Sequence, residues 1–282
     1  MGVPMAANLL KAGTRLKVWN RTPGPVRQLA ALGAQAATSA REAGEGVDVL
    51  ISMLSDDAAT RAVLFDEEAL AGLPPGAIHI NMATVSVAFA VELQRQHRER
   101  GIVYVAAPVM GRVQVAEAGQ LNILAAGDAA ALGTVQPLFD AMGQKTWHVG
   151  ERPEQANAVK LAVNFMIASA IGTMSEAMVF LENSGISKDD FLDLIGSTLF
   201  ASPVYKGYGA AIAQGRFEPA GFKLALAMKD MGLLLEAAAQ VKVPMSLASV
   251  LRDQHLEAIA HGNGHLDWAA LSCVAARHAA PH

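Results

Sequence analysis

The sequence predicts an open, doubly wound α/β domain followed by an all-α domain, with one long helix joining the two. Three observations support this fold class. Short apolar runs alternate with helical stretches up to about residue 149, residues 155–184 form a single helical pattern, and no strand pattern follows. Strand–helix alternation is typical of a sheet covered by helices on both faces. The polar stretch 150–157, which contains glycine and proline, divides the chain into predicted domains 1–150 and 151–282.

The predicted first domain contains six strands with helices between them. The run VDVLISML is apolar at nearly every position, as expected for a strand in a sheet covered on both faces. Two of the helical stretches end at a glycine, which is a common helix stop. The predicted strands are 16–19, 47–54, 77–82, 102–105, 121–125 and 146–149, and the predicted helices are 25–32, 59–64 and 87–100.

The second predicted domain is entirely helical. Its first helix, 155–184, is longer than an ordinary globular helix and ends at Gly185. Ser187, followed by Asp189 and Asp190, has the pattern of an N-cap with acidic residues in the first turn. Further helices are predicted at 187–195, 205–214, 224–241 and 244–260.

Composition argues against several classes of function. Hydrophobic residues make up 52% of the 282 residues and charged residues 17%, which argues against disorder. The net charge of −4 suggests no nucleic-acid or membrane partner. No uninterrupted apolar run reaches the roughly 18 residues that a bilayer span needs. Cys273 is the single cysteine, which favours a cytoplasmic location. His261 and His265 lie in a glycine-containing loop without a carboxylate or cysteine cluster, so no metal is expected.

The first residues, MGVPMAANLLKAG, have the pattern of the second half of a phosphate-binding turn. If Gly2 is the last glycine of a G-x-G-x-x-G turn, the helix that starts near Pro4 presents N–H groups, including those of Gly2 and Val3, to a pyrophosphate. The strand and two glycines that would precede it are not in the sequence. That strand would lie in the middle of the sheet, so we expect translation to begin about ten residues upstream of Met1.

The strand at 16–19 runs into Asn20-Arg21-Thr22 rather than into an acidic residue. An acidic residue at this point would accept hydrogen bonds from a ribose 2′-hydroxyl and would repel a 2′-phosphate. A guanidinium pairs with phosphate, and the Thr22 hydroxyl adds a further donor. The three residues therefore favour NADP(H) over NAD(H). The alternative is that Arg21 is an ordinary arginine in a surface loop.

Lys160 and Asn164 lie four residues apart on one face of the long predicted helix, among apolar residues. Partial burial disfavours the charged form of a lysine, so such an ammonium is suited to giving a proton to a carbonyl oxygen. Asn164 would hold the same oxygen or fix the ammonium. The spacing alone nevertheless favours a structural role for Lys160 over a catalytic one.

Four stretches carry a more specific signal: MGVPMAANLLKAG…VWNRT at the start, AAPVMGRVQVAEAGQLNILAAGD (106–128), KLAVN (160–164) and FKLALAMKDMGLLLEAA (222–238). In this order they resemble the β-hydroxyacid dehydrogenase family, and the resemblance covers essentially the whole chain. It implies an N-terminal Rossmann-type domain that binds NADP(H), and a helical domain for substrate binding and dimerisation. It also implies an active site between the domains and a homodimer built around the long helix.

The resemblance also implies roles for individual residues. Lys160 matches the catalytic lysine of the family, and Asn164 matches its substrate-orienting partner. The remaining matches concern the cofactor and the substrate: Met53 and Leu54 in the loop beside the cofactor, Thr84 near the nicotinamide ribose, Phe222 as a cofactor contact, and Lys229, which is paired with Asp230 and reaches toward cofactor and substrate.

The chain departs from the family where the substrate is expected. The family usually has Asp-Ala-Pro-Val-Ser-Gly-Gly, and this chain has Ala-Ala-Pro-Val followed by Met110-Gly111-Arg112. Met110 removes a hydroxyl that helps to hold a substrate carboxylate, whereas the backbone N–H groups of Gly111 and Arg112 remain able to donate. Arg112 is either a new anion contact or a solvent-facing side chain. A more apolar pocket leaves room for a bulkier or less acidic carbonyl compound.

These observations predict an NADPH-dependent reductase that transfers hydride between nicotinamide and the carbonyl of a small semialdehyde or hydroxyacid. Two alternatives remain. The first is an imine reductase of the same architecture, which Met110 favours and Lys160 argues against. The second is a non-catalytic descendant of the family, which the N-terminally incomplete nucleotide motif favours and the retained lysine argues against.

Overall fold

The computed structural model describes residues 1–279, which form two compact units, Met1–Lys160 and a second that begins at Leu161. An α/β unit followed by a helical one confirms the predicted fold class. The predicted boundary between residues 150 and 151 lies just before the helix that contains the division, and it stays a prediction.

Within the described residues, eight strands form two sheets. They are β1 (Lys17–Val18), β2 (Gln35–Ala36), β3 (Val49–Ser52), β4 (Ile78–Asn81), β5 (Val103–Ala106), β6 (Val109–Met110), β7 (Leu121–Ala126) and β8 (Gly143–Gly150). β1 pairs in parallel with β2. The larger sheet has the order β3-β4-β5-β7-β6, and β8 pairs with β7.

Each of the six predicted strands is present, with shifted ends. The larger sheet is mixed, because β7 runs antiparallel to β5 and β6 and parallel to β8. The sequence did not predict β2 and β6, since each contains two residues and neither stands out as an apolar run. β8 is longer than predicted because its exposed polar residues pair along β7.

Seven helices accompany the sheets within the described part of this unit: α1 (Gly2–Lys11), α2 (Pro23–Ala30), α3 (Ala40–Gly44), α4 (Asp57–Arg61), α5 (Val87–Arg98), α6 (Val113–Glu117) and α7 (Ala129–Met142). α4 is shorter than predicted because its continuation, Ala62–Asp66, is a π-helical turn. α7 was not predicted, because Pro137 lies inside it and proline is unfavourable within a helix. Its start is fixed by Asp128, whose carboxylate accepts a hydrogen bond from the N–H of Ala131 at 2.9 Å.

The core of this unit covers both faces of the larger sheet. Ile80 of β4 and Val105 of β5 belong to one buried cluster, whereas Tyr104 and Ala106 of β5 belong to the other. Successive residues of a strand face opposite sides of the sheet, so each face has its own apolar layer. This arrangement explains why the predicted central strands are apolar at consecutive positions.

The second unit is built from helices. They are α8 (Glu154–Asn183), which begins in the first unit, α9 (Lys188–Ser197), α10 (Pro203–Ala213), α11 (Leu224–Gln240), α12 (Ser246–Ala260) and α13 (Ser272–Ala279). Among the described residues, no strand follows β8, as predicted. Ser187 caps α9, since its hydroxyl accepts from the N–H groups of Asp189 and Asp190. At the core of the unit, the indole N–H of Trp268 donates to Nε2 of His255 at 2.8 Å.

α8 is long and apolar enough, by length and composition alone, to cross a membrane. Polar residues interrupt the apolar runs of α8, but they are few enough that its mean hydropathy stays high. A core helix of a globular protein has the same character, and 44% of the most apolar stretch of α8 is buried within the protein. The absence of a membrane partner stays a prediction.

Candidate active site

The N-terminus of α1 has the features of an anion-binding helix end. The helix begins at Gly2 rather than near Pro4, its first turn has no acidic residue, and no side chain caps it. The first N–H groups of a helix have no partner within it, so those of Gly2 and Val3 are suited to a phosphate. A Cβ placed on Gly2 would lie 3.9 Å from Cβ of Met53, which brings the predicted cofactor loop beside this helix end.

Asn20 and Thr22 form a local turn that leads into α2. The side-chain amide of Asn20 donates to both the carbonyl oxygen and Oγ1 of Thr22, each at 2.9 Å. Because Oγ1 accepts in this contact, the hydroxyl hydrogen of Thr22 points elsewhere and is able to reach a ligand oxygen. Arg21 between them is exposed. The structure therefore places the three predicted residues on one accessible turn.

A buried hydrogen-bonded chain lies under the ends of β3 and β4. Nδ1 of His97 lies 2.6 Å from the carbonyl oxygen of Leu93, which only accepts, so Nδ1 carries the proton. Nε2 of His97 then accepts from Nδ1 of His79 at 2.7 Å, and Nε2 of His79 accepts from the Ser52 hydroxyl at 2.8 Å. Burial lowers the pKa of His79 well below its ordinary value and that of His97 to about 4. Both rings are therefore neutral near neutral pH.

This chain supports the loops that the sequence assigned to the cofactor. Ser52 is the last residue of β3 and is in register with Asn81 at the end of β4. Oδ1 of Asn81 accepts from the N–H of Ala83 at 3.0 Å, which fixes the turn before Thr84. Met53 and Leu54, which follow Ser52, and Thr84 are all half-buried at the carboxyl edge of the sheet. Ligands of α/β folds bind at this edge.

The segment predicted to receive the substrate turns sharply at Gly111. Its φ of +142° is a conformation that side chains rarely adopt, and an added Cβ would lie 2.8 Å from Cδ2 of Leu121 and 2.9 Å from Cγ1 of Val115. A glycine is therefore required at this position. Met110 in β6 and Arg112 at the start of α6 are both half-buried, on either side of the turn.

In the second unit, Asn164, Lys229 and Asp230 form a buried polar cluster. The side-chain N–H of Asn164 donates to Oδ2 of Asp230 at 2.6 Å, and Nζ of Lys229 lies 3.1 Å from Oδ1 of the same carboxylate. Asp230 is 1% exposed and Asn164 2% exposed. A carboxylate buried this deeply needs such partners, because burying an isolated charge is costly. Asn164 is one helical turn beyond the half-buried Lys160 on α8.

Phe222, predicted as a cofactor contact, lies just before α11. Its N–H donates to the Asp267 carboxylate at 3.2 Å, and its ring centroid lies 5.3 Å from that of Trp268. It is half-buried. These contacts give Phe222 a structural role in the second unit, and its role toward the cofactor stays a prediction.

The sequence did not identify the contribution of Asp230 to Asn164 or that of the two buried histidines. Asn164 and Asp230 are 66 positions apart, so no local pattern connects them. His79 does give a signal, because it is the single ionisable residue in the apolar run AIHINM. Within residues 1–279, no group of three or more His, Cys, Asp or Glu side chains is arranged to hold a metal ion.

Two family models together match nearly the whole chain. Residues 1–150 match the NAD-binding domain of 6-phosphogluconate dehydrogenase. Residues 155–274 match the NAD-binding model of NADP-dependent 3-hydroxyisobutyrate dehydrogenase. Residues 151–154, which lead into α8, separate the two matches.

Individual relatives agree with these matches. An uncharacterized oxidoreductase of Bacillus subtilis is 42% identical over 97% of this chain and 96% of its own. Glyoxylate/succinic semialdehyde reductase 1 of Arabidopsis thaliana is 34% identical over 96% of this chain and 93% of its own. The structure of Mycobacterium tuberculosis 3-hydroxyisobutyrate dehydrogenase with L-serine has a TM-score of 0.88 at 29% identity, covering 97% of this chain and 94% of that one. An imine reductase from Myxococcus stipitatus is less similar, with a TM-score of 0.65 at 25% identity, covering 97% and 96%.

Proposed function

Because the chain belongs to the β-hydroxyacid dehydrogenase family of oxidoreductases and contains an NAD(P)-binding domain, we propose that it is an NADPH-dependent reductase of small semialdehydes or hydroxyacids. The observation that carries this proposal is the buried cluster of Asn164, Lys229 and Asp230, one turn from Lys160. An interior carboxylate paired with a lysine and an amide is costly to keep for stability alone. Such a cluster is suited to holding polar groups in place for chemistry.

The choice of NADP(H) rests on the exposed turn of Asn20, Arg21 and Thr22. Arg21 supplies a positive charge to a 2′-phosphate, and the Thr22 hydroxyl supplies a donor. The N-terminus of α1, through Gly2 and Val3, receives the pyrophosphate. A bound nicotinamide supplies or accepts the hydride, and the residues of the chain position the reactants and move the proton.

Lys160 is the proton donor in this proposal. As hydride reaches the carbonyl carbon, negative charge develops on the oxygen, and the ammonium of Lys160 neutralises it by giving up a proton. In the reverse direction, the neutral amine removes the proton from the hydroxyl. Asn164 holds the substrate, and Asp230 fixes the Asn164 amide by accepting a hydrogen bond from one of its two N–H groups.

The anionic end of the substrate is received by the N–H groups of Gly111 and Arg112, with Lys229 contributing positive charge. Met110 stands where the family usually has a serine hydroxyl, so the pocket is less polar there. This change favours an aldehyde with a longer or less acidic chain over the smallest hydroxyacids. The unusual backbone conformation of the turn lies at Gly111 and not at residue 110.

The test is a panel of substrates run with both cofactors. Purified protein is assayed with succinic semialdehyde, glyoxylate and a cyclic imine, each with NADPH and NADH. The proposal predicts turnover of a semialdehyde with NADPH as the better cofactor. Turnover of the imine alone would assign the protein to imine reduction, which Met110 favours. Failure of the protein to bind NADPH would support a non-catalytic role.

We further propose that the enzyme is a cytoplasmic homodimer that pairs through α8. Met166 and Phe180 on this helix are each 69% exposed, which is unusual for large apolar side chains. Light scattering of the wild type should give twice the mass of one chain. The Phe180→Asp variant should shift the distribution toward the monomer, whereas a monomeric wild type would contradict the proposal.

A further inference from the structure

Asn157 is a buried amide on α8, three residues before Lys160. Its side chain is 1% exposed, and neither Nδ2 nor Oδ1 has a hydrogen-bond partner among the described residues. Asn164 lies seven residues further along, on nearly the same face of the helix, and its amide is bonded to Asp230. The two asparagines on either side of Lys160 therefore differ. The Asn164 amide is hydrogen-bonded within the protein, whereas the Asn157 amide has an unused donor and an unused acceptor.

An amide left unbonded in the interior is unfavourable, because it has lost its hydrogen bonds to water and gained none. An apolar side chain of similar size would avoid this penalty. A polar residue at position 157 is therefore better explained by a partner that arrives with a ligand. This inference rests on the function proposed above, so the partner of the Asn157 amide is a group of the cofactor or of the substrate.

The hydrogen-bonding capacity of Asn157 selects among the ligand groups. A carboxylate only accepts, so it would satisfy Nδ2 and leave Oδ1 facing a negative charge. A primary carboxamide offers one acceptor and one donor, and it satisfies both atoms at once through two parallel hydrogen bonds. The nicotinamide ring carries such a group on the carbon next to the one that transfers hydride.

We infer that Asn157 is a positioning residue that pairs with the carboxamide of the nicotinamide ring. Its place on α8 agrees with this assignment, because side chains three positions apart on a helix lie about 5–6 Å from each other at Cβ. A residue that binds the carboxamide must lie close to the one that protonates the oxygen next to the hydride acceptor, and Asn157 has this relation to Lys160. By fixing the carboxamide, Asn157 sets the rotation of the ring.

The enclosure of the amide has two consequences. Neighbouring side chains must move for the ring to reach Asn157, and the resulting hydrogen bonds form away from bulk water, where they are stronger. In the absence of cofactor, an apolar side chain at position 157 removes the energetic penalty of the unbonded amide. The Asn157→Leu variant should therefore unfold at a temperature no lower than that of the wild type, a result that a structural hydrogen-bonding role would not give.

The experiment compares two cofactors that differ at the carboxamide. Dissociation constants are measured by calorimetry for NADP⁺ and for its 3-acetylpyridine analogue, in which a methyl group replaces the amide nitrogen. The wild type should bind NADP⁺ roughly three- to tenfold more tightly than the analogue, the value of about one hydrogen bond. This ratio should fall to near one in Asn157→Leu and in Asn157→Ala. Asn183→Leu, at the exposed end of the same helix, should keep the wild-type ratio.

Each other outcome has a definite meaning. If the wild type binds neither nucleotide, the proposed function fails and the inference fails with it. If the wild type discriminates and the Asn157 variants retain the full ratio, or if the wild type does not discriminate, the assignment of Asn157 alone is wrong. Equal weakening of both cofactors in the variants would assign Asn157 a structural or water-binding role and would also overturn the inference.

Discussion

The first unit buries neutral polar side chains, whereas the second unit also buries carboxylates. His79, His97 and Ser52 form a hydrogen-bonded chain that ends on a backbone carbonyl. Asp230 instead carries a negative charge, balanced by Lys229 and by the amide of Asn164. A neutral, internally satisfied chain holds strand ends in place at little electrostatic cost. A buried charge costs more, and it provides a field that can orient substrate and protons.

Removing the charge of Asp230 disrupts the charged cluster of the second unit, and we expect this change to have the largest effect on activity. In Asp230→Asn, the amide of Asn164 loses its fixed orientation and Lys229 loses its counter-charge. We expect kcat to fall by about 10²–10⁴-fold, as for other residues that orient a catalytic group, while the Kd for NADPH is unchanged. Steady-state kinetics and calorimetry give the two readouts. Asp253→Asn, which removes an exposed carboxylate, is the matched control, and equal kcat values in the two variants would contradict the assigned role.

Acid should protonate the two histidines of the first unit and so disrupt their neutral hydrogen-bonded chain. Burial lowers the pKa of His97 to about 4 and holds that of His79 well below its ordinary value, whereas both titrate near 6.5 when unfolded. Below pH 6.5 the unfolded state therefore binds more protons at these two rings, so their contribution to stability is complete above that pH and is lost as the pH drops toward 4. His97 alone accounts for a loss of about 3 kcal/mol over this window.

Denaturant unfolding at a series of pH values measures this loss. A variant with leucine at both positions, His79→Leu and His97→Leu, should lose less stability on acidification than the wild type. Part of the dependence should remain, since burial also lowers the pKa of His255 in the second unit. A wild-type stability that does not change between pH 6.5 and pH 4 would show that these rings are not held neutral.

The exposed turn formed by residues 20–22 of the first unit is where the preference for NADPH can be tested. Replacing Arg21 with alanine removes a charged donor from the proposed 2′-phosphate site. We expect the preference for NADPH over NADH, measured as the ratio of kcat/KM, to fall by about tenfold. Arg27→Ala on the exposed face of α2 should leave the ratio unaltered. An unchanged preference in Arg21→Ala would make Arg21 an ordinary surface arginine.

The smallest expected effect concerns Met110. The Met110→Ser variant adds a hydroxyl next to Gly111, and it should lower KM for short substrates with a carboxylate by about two- to tenfold. kcat should change less, because the proton-transfer groups are untouched. Leu32→Ser, at an exposed position just after α2, is the control. If short and long substrates improve equally, Met110 does not determine chain-length preference.

The sequence predicted the architecture well because each central strand is buried on both faces and is therefore apolar along its length. It could not predict α7 with its internal Pro137, or β2 and β6 with two residues each, because such elements depend on tertiary contacts rather than on local pattern. For the candidate site, the motifs predicted Lys160, Asn164 and Lys229, and their roles stay predictions. Two contacts could not be predicted: the hydrogen bond between Asn164 and Asp230 and the stacking of His79 on His97. Each joins positions that are far apart in the sequence, so no local periodicity indicates it.

The central claim is that the ammonium of Lys160 supplies the proton when hydride is transferred. Its most direct test is single-turnover oxidation of bound NADPH by succinic semialdehyde in the wild type and in Lys160→Met, with Lys145→Met at an exposed position as the control. We predict that NADPH binds equally well to all three proteins and that hydride transfer slows by about 10²–10⁴-fold in Lys160→Met alone. A rate in Lys160→Met equal to that of the wild type would contradict the account.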